Sequence, residues 1–179
     1  MSADRDARRA KVIEVLNIAR SMELQAIHQY MNQHYNLDDK DYGELAANMK
    51  LIAIDEMRHA ENFAERIKEL GGEPTTTLKA AVVKGQDVQQ IYNFDAASED
   101  NTIDAYNSFI KVCNENGDIL SARLFEATIE EEQAHLSYYE NVAEHIKTLG
   151  DTFLSKIAGT SASTGPISKG FIMNKNAGA

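Results

Sequence analysis

The chain of 179 residues contains one cysteine, two prolines and no tryptophan. A single cysteine, Cys113, excludes an intrachain disulfide and a cysteine-rich metal site, and it favours a reducing compartment such as the cytoplasm. So few prolines permit long, uninterrupted helices. Because no run of about 18 apolar residues occurs, we predict no membrane-spanning helix. The charged N-terminal stretch has no apolar segment behind it, so we expect no secretory signal.

The chain is strongly acidic, since 28 acidic and 18 basic residues give a net charge of −10. This charge argues against a nucleic acid as partner. An acidic surface instead concentrates small cations.

Four long segments carry apolar residues at helical spacing, which predicts helices over 5–36, 40–70, 87–115 and 118–149. Short links join the first to the second and the third to the fourth, whereas the link over 71–86 is long enough to run the length of a bundle. This pattern predicts an all-α, ferritin-like four-helix bundle with one long crossover connection. A short fifth helix follows near 152–158. We therefore divide the chain into the bundle with its fifth helix, 1–158, and a low-complexity C-terminal tail, 159–179.

Each apolar stripe is interrupted near its centre by side chains that belong in water. Burial of one unpaired carboxylate is costly, and burial of four together costs far more unless a cation compensates them. A solvated face would explain one such group, but not a set that recurs in all four stripes. The interrupting residues are Glu23, Glu56, His59, Glu99, Glu132 and His135.

The spacing of these residues forms an internal repeat. Glu56 follows Glu23 by 33 positions, and Glu132 follows Glu99 by 33. Both second members begin a Glu-x-x-His, whose two side chains share a helix face. Four carboxylates then balance two divalent cations, and ligands of oxygen and imidazole favour iron or manganese. We predict a dinuclear metal centre that is both the binding and the catalytic site.

Two tyrosines follow the same repeat, since Tyr30 lies seven residues after Glu23 and Tyr106 seven after Glu99. A buried tyrosine normally finds a hydrogen-bond partner for its hydroxyl group. We expect Tyr30 and Tyr106 to support the metal ligands by hydrogen bonds.

At this point the sequence resembles a bacterioferritin over roughly residues 5–158. The stretches that carry the resemblance are Glu23 to Tyr30, Asp55-Glu56-Met57-Arg58-His59-Ala60, Glu99 and Glu131-Glu132-Gln133-Ala134-His135. The resemblance implies that Met57 is an axial ligand to a haem shared between two subunits across a twofold contact. Helix geometry permits this, because Met57 lies about 100° round the helix from Glu56 and so faces away from the metal cavity.

The resemblance also implies the activity: a di-iron ferroxidase that oxidises Fe(II) with O2 or peroxide and deposits ferric mineral in a hollow shell. That shell is expected to be a homo-oligomer of about 24 subunits built from twofold dimers. Haem then assists electron transfer and iron release, with an electron-donor protein as a further partner.

Three alternatives remain open at this point. A haem-free ferritin is the closest alternative within the class, and it would leave Met57 a packing role only. A rubrerythrin-like di-iron peroxidase has the same bundle, but such proteins use a rubredoxin module with two Cys-x-x-Cys pairs, and this chain has one cysteine. A purely structural bundle held together by metal predicts the same fold without oxidation of Fe(II).

Overall fold

The computed structural model describes residues 2–165 and 170–176, and these form an all-helical chain. The described residues contain no β-strand, and one isolated bridge joins Tyr42 and Thr160. None of the described helices is both long and apolar enough to cross a membrane. The helices are α1 (Ser2–Asp39), α2 (Gly43–Glu69), α3 (Val88–Glu115), α4 (Ile119–Leu149), α5 (Asp151–Ile157) and α6 (Phe171–Asn176).

The four long helices form two hairpins, α1 with α2 and α3 with α4. The connection between the hairpins, 70–87, runs along α1 and forms hydrogen bonds with it at several positions, so it spans the bundle as predicted. Its contacts include Thr75 N–H to Asn17 Oδ1 at 2.7 Å, Lys79 N–H to the Ser21 carbonyl at 2.9 Å and Val83 N–H to Gln29 Oε1 at 2.8 Å.

Local signals set the helix boundaries. α2 ends where Gly71 adopts φ = 80°, a conformation that glycine reaches at little cost. α3 begins with a capping box, in which the Asp87 carboxylate accepts from Gln90 N–H and the Gln90 side chain accepts from Asp87 N–H. The predicted helix bounds agree with the observed ones to within three residues. The sequence did not predict α6, which lies in the tail and packs against α2.

The apolar core consists of two clusters with a polar layer between them. Each long helix contributes to both clusters, and the six interrupting residues lie between the two contributions along the chain. The bundle therefore buries its polar layer at mid-length, where four helices surround it. One cluster includes Leu37, Met49, Ile91 and Val142, and the other includes Leu16, Phe63, Cys113 and Phe125.

Candidate metal centre

The six predicted ligands meet in the middle of the bundle and are all buried. They form two overlapping groups of four, and within each group one ligand atom from every residue lies within 4.8 Å of the others. The first group is Glu23, Glu56, His59 and Glu132, and the second is Glu56, Glu99, Glu132 and His135. Two adjacent cation positions follow from this overlap.

Glu56 and Glu132 belong to both groups because each lies between the two histidines. Glu56 places one oxygen 3.0 Å from His59 Nδ1 and the other 3.1 Å from His135 Nδ1. Glu132 does the same at 3.2 and 3.1 Å. These two carboxylates are therefore placed to bridge two ions, and Glu23 and Glu99 are placed to bind one ion each.

The pKa values of the four carboxyl groups separate them into the same two pairs, an outer pair of Glu23 and Glu99 and a central pair of Glu56 and Glu132. Burial raises the pKa of Glu23 and Glu99 well above its usual value, and the charges of Glu132 and Glu56 raise it further. Burial also opposes ionisation of Glu56 and Glu132, but the two imidazoles bring their pKa below the usual value. The central pair is thus the more acidic pair, and a bound cation would favour the ionised form of the outer pair.

The chemistry of the donor set fits a pair of divalent cations. Glu56 Oε1 and Glu132 Oε1 are buried and accept no hydrogen bond from the residues that the structure describes. Each oxygen lies beside a histidine Nδ1, at 3.1 and 3.2 Å, without accepting a hydrogen bond from it, and a metal ion would satisfy both oxygens. Carboxylate and imidazole ligands without thiolate match iron and manganese.

Tyr30 and Tyr106 each donate a hydrogen bond to a glutamate of the other hairpin. Tyr30 in α1 donates to Glu99 Oε1 in α3 at 2.6 Å, and Tyr106 in α3 donates to Glu23 Oε1 in α1. The sequence repeat placed each tyrosine on the helix of one glutamate but did not reveal that the bonds cross between helices.

Two carboxylates that the sequence analysis did not select contact the outer nitrogens of the histidines. Glu131 Oε2 lies 3.2 Å from His59 Nε2, and Asp55 Oδ2 lies 3.5 Å from His135 Nε2. Each immediately precedes a ligand glutamate, and they stand 76 positions apart, like Glu56 and Glu132. The repeat therefore contained the signal. A carboxylate on the outer nitrogen of an imidazole fixes which nitrogen faces a metal.

Met57 lies on the outer face of α2, away from this centre. Its side chain is 53% exposed, whereas the adjacent Glu56 is buried. It lines a shallow surface depression of about 440 Å³. The other lining residues are Arg20, Leu24, Ile27, Ala60, Glu61 and Ala64.

A four-helix bundle with one long crossover and two Glu-x-x-His pairs around a dinuclear centre defines the class of ferritin-like carboxylate proteins. The family model of the ferritin-like domain matches residues 13–149. The bacterioferritin of Desulfovibrio desulfuricans is 73% identical over 172 residues, 96% of each chain. That of Streptomyces coelicolor is 36% identical over 148 residues, 82% of this chain and 89% of the relative.

Solved structures agree with these relationships. The structure of Desulfovibrio desulfuricans bacterioferritin, described for its diiron site in different catalytic states, superposes with a TM-score of 0.91 at 74% identity, covering 93% of this chain and 98% of that one. Mycobacterium tuberculosis BfrA gives 0.78 at 31% identity, covering 82% and 93%. The chain belongs to the bacterioferritins.

Proposed function

We propose that the chain stores iron and that its six clustered ligands form the ferroxidase centre, which oxidises Fe(II) with O2 or peroxide. The observation that carries this proposal is the position of Glu56 and Glu132, each within 3.2 Å of both histidine Nδ1 atoms. Two Fe(II) ions side by side supply together two electrons, which is what reduction of O2 to peroxide requires. The bridging carboxylates hold the ions adjacent, and their charge favours the ferric product.

Fe(II) reaches the centre, in this proposal, through a cavity of about 200 Å³ between α1 and α3. Three of the six ligands, Glu23, Glu56 and Glu99, line that cavity. An arriving cation therefore meets three carboxyl ligands at the inner end of the cavity as soon as it loses solvent. The cavity also admits O2 and peroxide.

Substitution of the two outer glutamates tests the assignment. The double variant Glu23→Gln/Glu99→Gln removes one ligand from each cation position, so we expect Fe(II) oxidation, followed as ferric absorbance after mixing with air, to fall to the rate in buffer. Size-exclusion chromatography should show unchanged assembly. The matched control, Glu14→Gln/Glu115→Gln, alters exposed glutamates on the same two helices and should oxidise Fe(II) normally. Oxidation at the normal rate in the first variant would refute the ligand assignment.

We also propose that Met57 binds haem at a twofold contact between two subunits. Its exposed thioether, the shallow depression round it and the family of the chain support this role. Met57→Leu should purify without haem, measured by the absorbance of the haem band relative to protein. Met173, also exposed, provides the control Met173→Leu, which should keep the haem. Haem retained equally in both variants would show that Met57 is not the ligand, and absence of haem from the wild type as well would leave a haem-free ferritin.

The remaining proposals concern assembly and partners. Bacterioferritins form an oligomeric storage shell, and we propose about 24 subunits arranged from twofold dimers, for which analytical ultracentrifugation is the test. Haem at the dimer contact would receive electrons from a donor protein and release stored iron by reduction. We place the protein in the cytoplasm, because the chain has a single cysteine and reduced iron is the substrate.

A further inference from the structure

The described part of the tail returns to the metal centre. Residues 170–173 pack against α2, and the backbone N–H groups of Phe171 and Ile172 donate to Asp55 Oδ2 at 2.6 and 3.0 Å. These bonds join residues more than 110 positions apart. The segment therefore makes a specific polar contact with α2, in addition to apolar packing.

Asp55 is the residue through which this contact reaches the centre. It is completely buried, and the oxygen that accepts both amides is also the one 3.5 Å from His135 Nε2. Its other oxygen accepts from Arg58. Because a buried carboxylate depends on its donors, loss of the two amides would free Asp55 to turn away from His135.

The segment fits Asp55 closely enough to require glycine at position 170. Gly170 has φ = +85°, and a Cβ there would lie 2.1 Å from Asp55 Oδ1. The next residue, Phe171, places its ring edge-on to His135, at 6.0 Å between centroids, and 5.2 Å from Tyr138. The segment thus contacts the centre in two ways: its main chain binds Asp55, and the ring of Phe171 packs against His135.

Glu131 corresponds to Asp55 in the sequence repeat, but the segment at 170–173 does not cover it. Glu131 lies 3.2 Å from His59 Nε2, closer than the 3.5 Å between Asp55 and His135 Nε2, but its side chain is 35% exposed. Within residues 2–165 and 170–176, no backbone amide donates to the carboxylate of Glu131, which lies 3.5 Å from Arg58. The sequence repeat gives both histidines a carboxylate neighbour, but the tail contacts only the neighbour of His135. The surroundings of the two histidines therefore differ.

We propose that the segment Gly170–Met173 positions a metal ligand: its two amides fix Asp55, Asp55 fixes the imidazole of His135 with Nδ1 towards the ions, and Phe171 closes that side. This inference rests on the proposed function of the six residues as metal ligands. It follows that displacing the segment weakens the cation position that contains His135 and leaves the position that contains His59 unchanged.

Two glycines in the tail provide a matched pair for the test. Gly165 has φ = +81°, close to that of Gly170, but a Cβ there would meet nothing within 4 Å. Gly170→Val and Gly165→Val therefore introduce the same backbone strain, and only the first collides with Asp55. The full-length variants are titrated anaerobically with Co(II), whose visible absorption reports each bound ion without any turnover.

Wild-type protein should bind two Co(II) per subunit. Gly170→Val should lose about tenfold in affinity for one of the two and change its absorption band, as expected when an outer partner of a metal-binding histidine is disturbed. Gly165→Val should titrate like the wild type. Identical titrations of the two glycine variants would refute the inference. Failure of the wild type to bind Co(II) would instead refute the proposed metal centre itself.

A double-mutant cycle tests whether the effect passes through Asp55. Asp55→Asn should weaken the same Co(II) position, and Gly170→Val should add nothing in that background, since the route is already broken. Additive losses in the double variant would show that the segment acts independently of Asp55 and would overturn the proposed route.

Discussion

At the residue scale, the role of each glutamate follows from how many histidines it faces. Glu56 and Glu132 face both, whereas Glu23 lies 4.0 Å from His59 Nδ1 and Glu99 belongs with His135. The four carboxylates are chemically similar, but they are not interchangeable. A ligand that belongs to both cation positions supports both, and a ligand of one position supports only that one.

This difference predicts the stoichiometry of metal binding in single variants. Glu99→Gln should keep one tightly bound Co(II) per subunit, because the position with Glu23 and His59 retains its ligands. Glu132→Gln should weaken both positions, because a bridging carboxylate is lost. Isothermal titration under nitrogen measures both numbers. One site of wild-type affinity in Glu132→Gln would show that Glu132 does not bridge.

At the element scale, Asp118, the N-cap residue of α4, links the start of α4 in one hairpin to the last turns of α2 in the other. Its carboxylate accepts from Ser121 N–H at 3.0 Å and binds Arg66 of α2 through both oxygens at 2.8 and 2.9 Å. One side chain thereby caps a helix and ties the two hairpins together. Burial would raise the pKa of Asp118, but the Ser121 hydrogen bonds and Arg66 outweigh it and lower the pKa below its usual value.

A lowered pKa gives Asp118 a defined effect on acid stability. Its contribution is complete above the unfolded-state pKa of about 3.9 and disappears as the pH falls through the lower folded-state pKa. Asp118→Asn should therefore lower the midpoint of thermal unfolding at pH 6, and the difference from wild type should shrink below pH about 4. Circular dichroism melts across this range provide the measurement, and a difference that is constant with pH would contradict the argument.

At the scale of the whole molecule, the metal centre lies between two hairpins that have few direct helix-to-helix contacts with each other. The contacts within each hairpin are extensive, whereas the hairpins meet through the crossover, the two core clusters and the ligands. All four long helices supply candidate ligands, so cations bound there would link the hairpins directly. The same four carboxylates repel one another when no cation balances them.

Metal should therefore stabilise the fold, and only through intact ligands. Anaerobic Co(II) at about 100 times its dissociation constant should stabilise the wild type by about 2.7 kcal/mol for each of the two sites, or about 5.4 kcal/mol per subunit, and raise its unfolding temperature. Glu23→Gln/Glu99→Gln should show no such rise. Without metal, the double variant should be at least as stable as the wild type, since a neutral amide at each position avoids any cost of ionising Glu23 and Glu99 in a buried site. Calorimetry separates the two effects, and a metal-dependent rise in the double variant would contradict them.

The sequence by itself determined the four long helices, the crossover and the positions of the six candidate ligands, because apolar periodicity and a repeated spacing are local properties of the chain. It also placed Met57 on the outer face of α2, since rotation per residue is fixed in a helix. Only the tertiary structure decided that Glu56 and Glu132 lie between both histidines and that each tyrosine bonds to a glutamate of the other hairpin. Those relations depend on how helices approach one another and which way their side chains turn. The contact of Gly170 and Phe171 with Asp55 could not be predicted from the sequence either. It joins residues more than 110 positions apart, and a tail of small polar residues has no apolar periodicity that would indicate where it packs.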